Sequence, residues 1–215
     1  WRTNVYIRPL AYVTDNLIGV RLHDVSHDVT IFSHPFGSYI PNEENAHVTF
    51  SSWRRVDDNS IPARGKICGA YANSALSKTD AHNAGYDDAL VLNHDGHIAE
   101  GSAANFFMVY DGEVVTPPIT ANILEGITRR TVIQLLRDDL GLAVTERNID
   151  RSEVYRADEA FFTGTGVQVV AITAVDHRQL GNGVMGPVVG QLRKLYFNVV
   201  SGRVEHYRHW NMPVY

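Results

Sequence analysis

The stretch from Gly96 to Phe107, GHIAEGSAANFF, places one acidic residue between an apolar segment and a run of small residues. The turn residues Asn93 to Gly96 come directly before it, so the sequence predicts a hairpin here. Glu100 then stands at a strand end, where small neighbours leave room for a flat ligand over its carboxylate. An exposed turn glutamate is the alternative interpretation, and general residue behaviour favours that alternative.

Upstream of this stretch, Lys66 to Tyr71 reads KICGAY, a lysine at the edge of a segment of small and apolar residues. Partial burial there would lower the pKa of the ammonium group and make the amine a nucleophile toward carbonyl groups. A solvated lysine ahead of a helix is the simpler interpretation. Lys66 is therefore a candidate nucleophile that its own surroundings do not identify.

Two glycine-containing segments downstream are candidate anion-binding turns. Leu124 to Arg129 reads LEGITR and predicts a helix start, which offers free backbone N–H groups and the positive end of the helix dipole. The Thr128 hydroxyl could add a further contact there. Thr163 to Gly166 reads TGTG, a tight turn that offers N–H groups and a hydroxyl. Either segment could equally be an ordinary turn, because glycine permits the backbone geometry in both cases.

Hydrophobic periodicity and breaker residues predict a mixture of strands and helices. Strands are predicted at 5–13, 28–32, 47–56, 89–92, 97–99, 105–110, 113–116, 142–149, 159–163 and 167–175. Helices are predicted at 71–84, 127–140 and 187–200, with Gly85 and Gly141 as stops and a short helix after Ser152. Because strands and helices do not alternate strictly, the predicted class is α+β rather than a doubly wound sheet.

The 215-residue chain has a net charge of −5 and an ordinary globular composition, with 44% hydrophobic and 20% charged residues. Both signs of charge are dispersed, so neither a nucleic-acid nor a membrane partner is indicated. The single cysteine, Cys68, cannot form an internal disulfide, which fits a reducing compartment and a cytoplasmic location. No histidine pair has a third ligand at a persuasive spacing, so no metal is expected. Hydrolase, P-loop and zinc-peptidase motifs are absent from the sequence.

Taken in order, these segments resemble the fold-type-IV enzymes that depend on pyridoxal 5'-phosphate, which share the fold of D-amino acid aminotransferase. The resemblance covers essentially the whole chain and includes Ser51 to Arg55, SSWRR. It implies that Lys66 forms a Schiff base with the cofactor aldehyde and then shuttles the proton from the substrate α-carbon. It also implies that Glu100 faces the pyridine nitrogen and keeps it protonated, so that the ring can accept electrons.

The resemblance assigns further contacts with the cofactor. Tyr71 would form a hydrogen bond with the phenolic oxygen of the ring. Arg55 and Asn105 are lesser candidates near the cofactor. The phosphate would be held by backbone N–H and hydroxyl groups of the two glycine-containing turns, which contribute Leu124, Gly126, Ile127, Thr128, Gly164 and Thr165.

Tyr6 to Pro9, YIRP, resembles the signature of the branched-chain amino acid aminotransferases within this superfamily. Tyr6 and Arg8 would receive a carboxylate, which suits glutamate and 2-oxoglutarate, and Thr165 and Gly166 would also contact the substrate. The implied reaction is amino transfer between L-leucine, L-isoleucine or L-valine and 2-oxoglutarate, in branched-chain amino acid biosynthesis. The implied partners are small amino acids and 2-oxo acids, and the implied assembly is a homodimer or larger homo-oligomer.

Members of the family have a further N-terminal segment that completes a smaller domain, whereas this sequence starts at Trp1, just before the YIRP strand. We therefore expect residues 1–40 to be the C-terminal part of the small domain with its linker, which contains the breaker-rich segment 35–42. Residues 41–215 would be the large cofactor-binding domain. Two alternatives stay open: another fold-type-IV activity, such as aminodeoxychorismate lyase or D-amino acid transaminase, and a truncated fragment without activity.

Overall fold

The computed structural model describes residues 3–213, which divide into two compact units between Tyr39 and Ile40. The first unit contains a two-stranded antiparallel sheet of β1 (Val5–Val13) and β2 (His27–Pro35). No hydrophobic side chain among residues 3–39 is buried. Two strands alone cover little apolar surface, so this unit has no core of its own.

The second unit contains nine strands and three α-helices within residues 40–213. The strands are β3 (Ala46–Arg54), β4 (Asp88–Leu92), β5 (Ile98–Gly101), β6 (Asn105–Tyr110), β7 (Glu113–Thr116), β8 (Val144–Glu146), β9 (Glu159–Gly164), β10 (Gln168–Val175) and β11 (Arg178–Gln179). The helices are α1 (Tyr71–Asn83), α2 (Ile127–Asp138) and α3 (Pro187–Val200), with 3-10 segments at Cys68–Ala70, Glu153–Arg156 and Glu205–Trp210.

One mixed sheet joins the nine strands in the order β5-β4-β3-β10-β9-β6-β7-β8, and β11 pairs with β10. β3 runs parallel to β4 and β10, and β7 runs parallel to β8, whereas the other pairs are antiparallel. β5 and β6 are five positions apart in the sheet, about 24 Å if it were flat, yet only residues 102–104 connect them. The sheet must therefore curl, and this brings the Glu100 strand close to the Asn105 strand.

The two faces of the sheet bury separate hydrophobic cores. On β9, Phe162 packs into the first core and Phe161 into the second, as the alternation of a strand requires. α2 and α3 contribute Leu136 and Leu192 to the second core, where the Phe161 ring stacks on Phe107 with 4.9 Å between centroids. α2 and α3 therefore cover one face of the sheet, and the α+β class predicted from the sequence is confirmed.

Local signals predicted the helix ends well. α3 has the predicted bounds, and α1 and α2 end within two residues of the predicted positions. Gly85 and Gly141 have φ values of +87° and +63°, the left-handed conformation expected after a helix. Asp111 and Gly112 also have positive φ, at +50° and +77°, as a tight hairpin turn demands. No helix within residues 3–213 is both long enough and apolar enough to cross a membrane.

Two local predictions were wrong. The strand predicted at 142–149 is only β8, because Ile149 leaves the β7 neighbourhood and its carbonyl accepts a hydrogen bond from Ile98 N instead. The short helix predicted after Ser152 is present as a 3-10 segment, but the predicted cap is wrong, because the Ser152 side chain makes no capping hydrogen bond. The Glu153 carboxylate pairs with Arg147 there and so takes part in local contacts that the sequence did not indicate.

Glu159 caps the start of α3, because its two carboxylate oxygens accept hydrogen bonds from Val188 N at 2.9 Å and Val189 N at 2.8 Å. Gly186 permits this approach, since a Cβ there would overlap the carboxylate. Glu159→Ala would leave two N–H groups without partners, so we expect the free energy of unfolding in urea to fall by about 2–3 kcal/mol. The exposed Glu44, changed to Ala, is the control; equal losses in both variants would contradict the capping role.

Candidate active site

Glu100, at the end of β5, is only 5% exposed and lies among polar partners. Its Oε1 is 2.9 Å from Arg55 Nη2 and accepts a hydrogen bond from Leu124 N at 3.3 Å. Its Oε2 accepts a hydrogen bond from Asn105 Nδ2 at 2.9 Å. Glu100 is therefore a buried, multiply held carboxylate, and the interpretation as an exposed turn residue is wrong.

Asn105 fastens the segment before α2 to the sheet. Its Nδ2 also donates to the Leu124 carbonyl at 2.8 Å, so one amide contacts both Glu100 and this segment. Gly126 packs directly against Asn105, because a Cβ at that position would overlap Oδ1. The glycine of the LEGITR motif is thus required for close approach to Asn105, which places the start of α2 beside Glu100.

Burial raises the pKa of Glu100 from its ordinary value of 4.5 to about 7. The positive charge of Arg55, the Leu124 N–H group, and the charges of Lys66 and Arg129 oppose this rise. Removing a carboxylate from water disfavours its charged form, and here that effect outweighs the nearby positive charges. A second cation beside Glu100, such as a protonated ring nitrogen, would therefore stabilise its charged form.

The raised pKa predicts a pH-dependent stability for the cofactor-free protein. The folded chain holds the Glu100 proton more tightly than the unfolded chain, so this contribution is complete below about pH 4.5 and is lost as the pH rises to about 7. The loss should be roughly 3 kcal/mol in the free energy of unfolding. Urea unfolding of wild type and Glu100→Gln at these pH values measures this loss, as the difference between the two proteins in how the free energy of unfolding changes with pH. Parallel profiles for the two proteins would contradict the prediction.

Lys66 lies between the loop that follows β3 and the 3-10 segment that leads into α1. Its side chain is exposed in this chain, as the solvated interpretation expects, and the partial burial considered above is not found. The ammonium group is 5.2 Å from the centroid of the Tyr71 ring, and its charge acts on Glu100. The structure therefore brings Lys66, Tyr71 and Glu100 into one region.

The start of α2 presents backbone donors. Gly126 has an extended backbone and caps the helix without a side-chain hydrogen bond, and the first N–H groups of a helix have no intrahelical acceptor. The Ile127 side chain is exposed. Thr128 is buried, and its side chain lies near Tyr196, where it lowers the pKa of that phenol against the larger effect of burial. The predicted anion contact of Thr128, through its hydroxyl and backbone N–H group, stays a prediction.

The TGTG turn lies beside Asn105, because the register of β6 and β9 pairs Asn105 with Thr163. Thr165 is exposed, and Gly164 and Gly166 are half-buried. The Thr163 hydroxyl is fully buried and has no hydrogen-bond partner within residues 3–213. Thr163 was quoted as the first residue of the TGTG motif, but its hydroxyl was assigned no role from the sequence.

Arg129 was quoted in the LEGITR motif but given no role. It is 2% exposed, and its Nη2 donates to the Pro117 carbonyl at 2.9 Å and to Glu146 Oε2 at 2.7 Å. These contacts tie the first turn of α2 to the segment that follows β7 and to the last residue of β8. A long charged residue on the apolar face of a predicted helix was the available signal for this buried ion pair.

Tyr6 and Arg8, the predicted substrate residues, lie on β1 in the first unit. The guanidinium carbon of Arg8 is 5.2 Å from the centroid of the Tyr6 ring, so the two side chains are neighbours. Their role in binding substrate remains a prediction.

The second unit thus combines a lysine amine, a tyrosine, a buried carboxylate and two turns with backbone N–H donors. These groups fit the aldehyde, the phenolic oxygen, the ring nitrogen and the phosphate of pyridoxal 5'-phosphate, in that order. The site is that of a fold-type-IV pyridoxal-phosphate enzyme.

Comparison with known proteins identifies the family. The amino-transferase class IV family model matches residues 1–175, and the chain belongs to this family. It is 47% identical, over all of its length and 69% of the relative, to a probable branched-chain-amino-acid aminotransferase of Aquifex aeolicus. The holo form of the branched-chain amino acid aminotransferase from Thermobaculum terrenum, solved with its pyridoxal phosphate, has a TM-score of 0.95 at 42% identity, covering 100% of this chain and 70% of that one. A branched-chain amino acid aminotransferase from T.th., in complex with N-(5'-phosphopyridoxyl)-L-glutamate, has a TM-score of 0.92 at 38% identity, covering 98% and 69%.

Proposed function

We propose that the protein is a branched-chain amino acid aminotransferase that moves the amino group between L-leucine, L-isoleucine or L-valine and 2-oxoglutarate. The observation that carries the proposal is the buried Glu100 carboxylate, held by Arg55 and Asn105 beside an available lysine. The names of the relatives support the branched-chain substrates. The glutamate adduct of the T.th. enzyme supports glutamate and 2-oxoglutarate as the second pair.

Bound pyridoxal 5'-phosphate supplies an aldehyde that takes up the amino group and a ring that accepts electrons from the substrate α-carbon. Lys66 would attach to that aldehyde through Nζ and, once displaced by the substrate amine, carry the proton to and from the α-carbon. Glu100 would hold a proton at the ring nitrogen, and Arg55 and Asn105 would keep its carboxylate in place. Tyr71 would donate a hydrogen bond to the phenolic oxygen.

The two turns would contact the phosphate, and residues of the turns and of the first unit would contact the substrate. The N–H groups of Ile127 and Thr128 and those of the turn from Gly164 to Gly166 would hold the phosphate, with Leu124 and Gly126 shaping the approach. Thr165 would add its hydroxyl to the phosphate, and Thr165 and Gly166 would also contact the substrate. For Tyr6 and Arg8 we propose a substrate carboxylate as ligand, on the basis of the YIRP resemblance and the fit of a guanidinium to a carboxylate.

We also propose the domain roles, assembly and location that the resemblance implies. Residues 1–40 would be the C-terminal part of a small domain with its linker, and 41–215 the large cofactor-binding domain. The protein would act as a homodimer or larger homo-oligomer, which light scattering of the purified protein measures. The single cysteine, Cys68, supports a reducing, cytoplasmic setting.

The test is amino transfer with defined substrates. Purified protein is given pyridoxal 5'-phosphate, L-leucine and 2-oxoglutarate, and glutamate and 4-methyl-2-oxopentanoate are measured together. Equal amounts of both products, with slower transfer from D-alanine, are the expected result. D-alanine as the preferred donor, or cleavage of aminodeoxychorismate without amino transfer, would replace the proposal with one of those activities. A protein that stays colourless with added cofactor and transfers nothing would support a fragment without activity.

A further inference from the structure

Asn122 lies in the segment before α2 and contacts the residue that holds Glu100. Its φ of +55° is a left-handed conformation, which asparagine adopts more readily than most residues. Its backbone carbonyl accepts a hydrogen bond from Arg55 Nε at 2.9 Å, while Nη2 of the same guanidinium is 2.9 Å from Glu100 Oε1. The backbone of Asn122 therefore orients the arginine that holds the buried carboxylate.

The side chain of Asn122 contacts a different element, the loop that leads to Lys66. Its Oδ1 accepts a hydrogen bond from Asp58 N at 3.2 Å, and its Nδ2 donates to Asp57 Oδ1 at 3.0 Å. Asp58 Oδ1 in turn accepts a hydrogen bond from Ala63 N at 2.8 Å, so the loop is folded on itself and fastened to Asn122. Lys66 follows three residues after Ala63.

A third contact anchors Asn122 itself. Its Nδ2 also donates to Asn93 Oδ1 at 3.2 Å, and Asn93 is buried and donates through Nδ2 to the Ala121 carbonyl at 3.0 Å. The anchor comes from the turn between β4 and β5, the strand that carries Glu100. Asn122 is thus fixed to the strand pair that bears the carboxylate while it holds the loop that bears the lysine.

We propose that Asn122 is a positioning residue that sets the distance between Lys66 and Glu100. Its carbonyl acts through Arg55 on Glu100, and its amide acts through the loop at Asp57 and Asp58 on Lys66. The inference rests on the proposed function, in which these two groups engage the aldehyde side and the nitrogen side of one ring.

Asn122→Gly tests the proposal, because glycine keeps the left-handed backbone and the carbonyl but removes the side-chain amide. The probe is pyridoxal, which lacks the phosphate and so reports on the amine and the carboxylate without the phosphate turns. Lys66 captures it by condensation of the amine with the aldehyde and release of water, and absorbance follows the rate. We expect the rate to fall roughly tenfold, since a displacement of about 1 Å from reactive geometry can cost up to about 100-fold.

Two comparisons separate positioning from a general loss of structure. Asp111→Gly is the matched control, because Asp111 has a φ of +50° in the hairpin turn between β6 and β7, and its capture rate should stay within about twofold of wild type. In a Glu100→Gln background, Asn122→Gly should slow capture by less than about threefold. Both changes disturb the same arrangement of Lys66 and the residue at position 100, so their effects should not add. Equal slowing in both backgrounds would overturn the proposal.

Amide hydrogen exchange of the cofactor-free protein gives a readout that needs no cofactor. The N–H groups of Asp58 and Ala63 should exchange about tenfold faster in Asn122→Gly than in wild type. Unchanged exchange, or faster exchange with unchanged capture, would overturn the inference and leave the proposed function standing. A wild-type protein that captures neither pyridoxal nor pyridoxal phosphate would contradict the proposed function, and the inference with it.

Discussion

Lys66→Ala is expected to abolish covalent attachment of pyridoxal 5'-phosphate and to lower amino transfer by roughly 1,000-fold or more, because in the proposed function one amine supplies both the attachment and the proton transfer. The charge of the Lys66 ammonium group already acts on the buried Glu100. Alanine can neither condense with the aldehyde nor carry a proton. Absorbance of the loaded protein and mass spectrometry after borohydride reduction measure the attachment.

The chain offers a matched control in Lys194, an exposed lysine on α3. Lys194→Ala should keep both the attached cofactor and the activity. A borohydride-stable adduct that persists in Lys66→Ala would show that another lysine is the attachment point. Recovery of the adduct on the peptide that contains Lys66 in wild type, and on no peptide in the variant, would support the assignment.

Glu100→Gln is expected to lower turnover by roughly 100-fold, the size of effect seen when one preorganised electrostatic contact is removed. Glutamine nearly preserves the shape of the side chain, but its single amide oxygen can accept from only one side, either from Asn105 or from Leu124 N, because these groups donate to different carboxylate oxygens. In the proposed function Glu100 would hold a proton at the ring nitrogen, and a neutral amide could not do so. Single-turnover kinetics with L-leucine, followed by absorbance, measures the chemical step directly.

Glu100→Asp is the informative companion variant, because it keeps the charge and shortens the side chain. We expect it to recover part of the lost rate, while cofactor attachment at Lys66 survives in both variants. If Glu100→Gln turned over as fast as wild type, the carboxylate would have a structural role only. If both variants lost the cofactor altogether, Glu100 would be needed for binding rather than for the chemical step.

Local residue chemistry was sufficient to predict most elements of the fold. The sequence predicted the helix ends at Gly85 and Gly141 and the turn at Asp111. A positive φ favours particular residue types, so a single residue indicates each of these positions. The apolar stripe of α3 predicted its bounds. The bounds of β8 were not predicted, because the pairing of Ile149 with Ile98 joins segments far apart in sequence, and no local pattern encodes such a partner.

The candidate site was only partly predictable. The TGTG and LEGITR turns were recognised as motifs, yet the burial of Arg129 and its ion pair with Glu146 were not predicted. Asn122 was missed and Thr163 was given no role, because the surroundings of a bridging amide or a buried hydroxyl come from segments far away in sequence. Residue type and spacing thus identified candidate site residues, whereas their contacts depend on segments that are distant in sequence.

The sequence by itself determined the order of the elements, the class of the fold and the presence of Lys66 as a candidate nucleophile. It left Glu100 as a turn residue of undecided exposure. Only the tertiary structure made it a buried carboxylate with a raised pKa, because the curled sheet brings Arg55, Asn105 and Leu124 around it and excludes water. The desolvation of the Glu100 carboxylate depends on residues that are far away in sequence, so a local sequence pattern does not predict it.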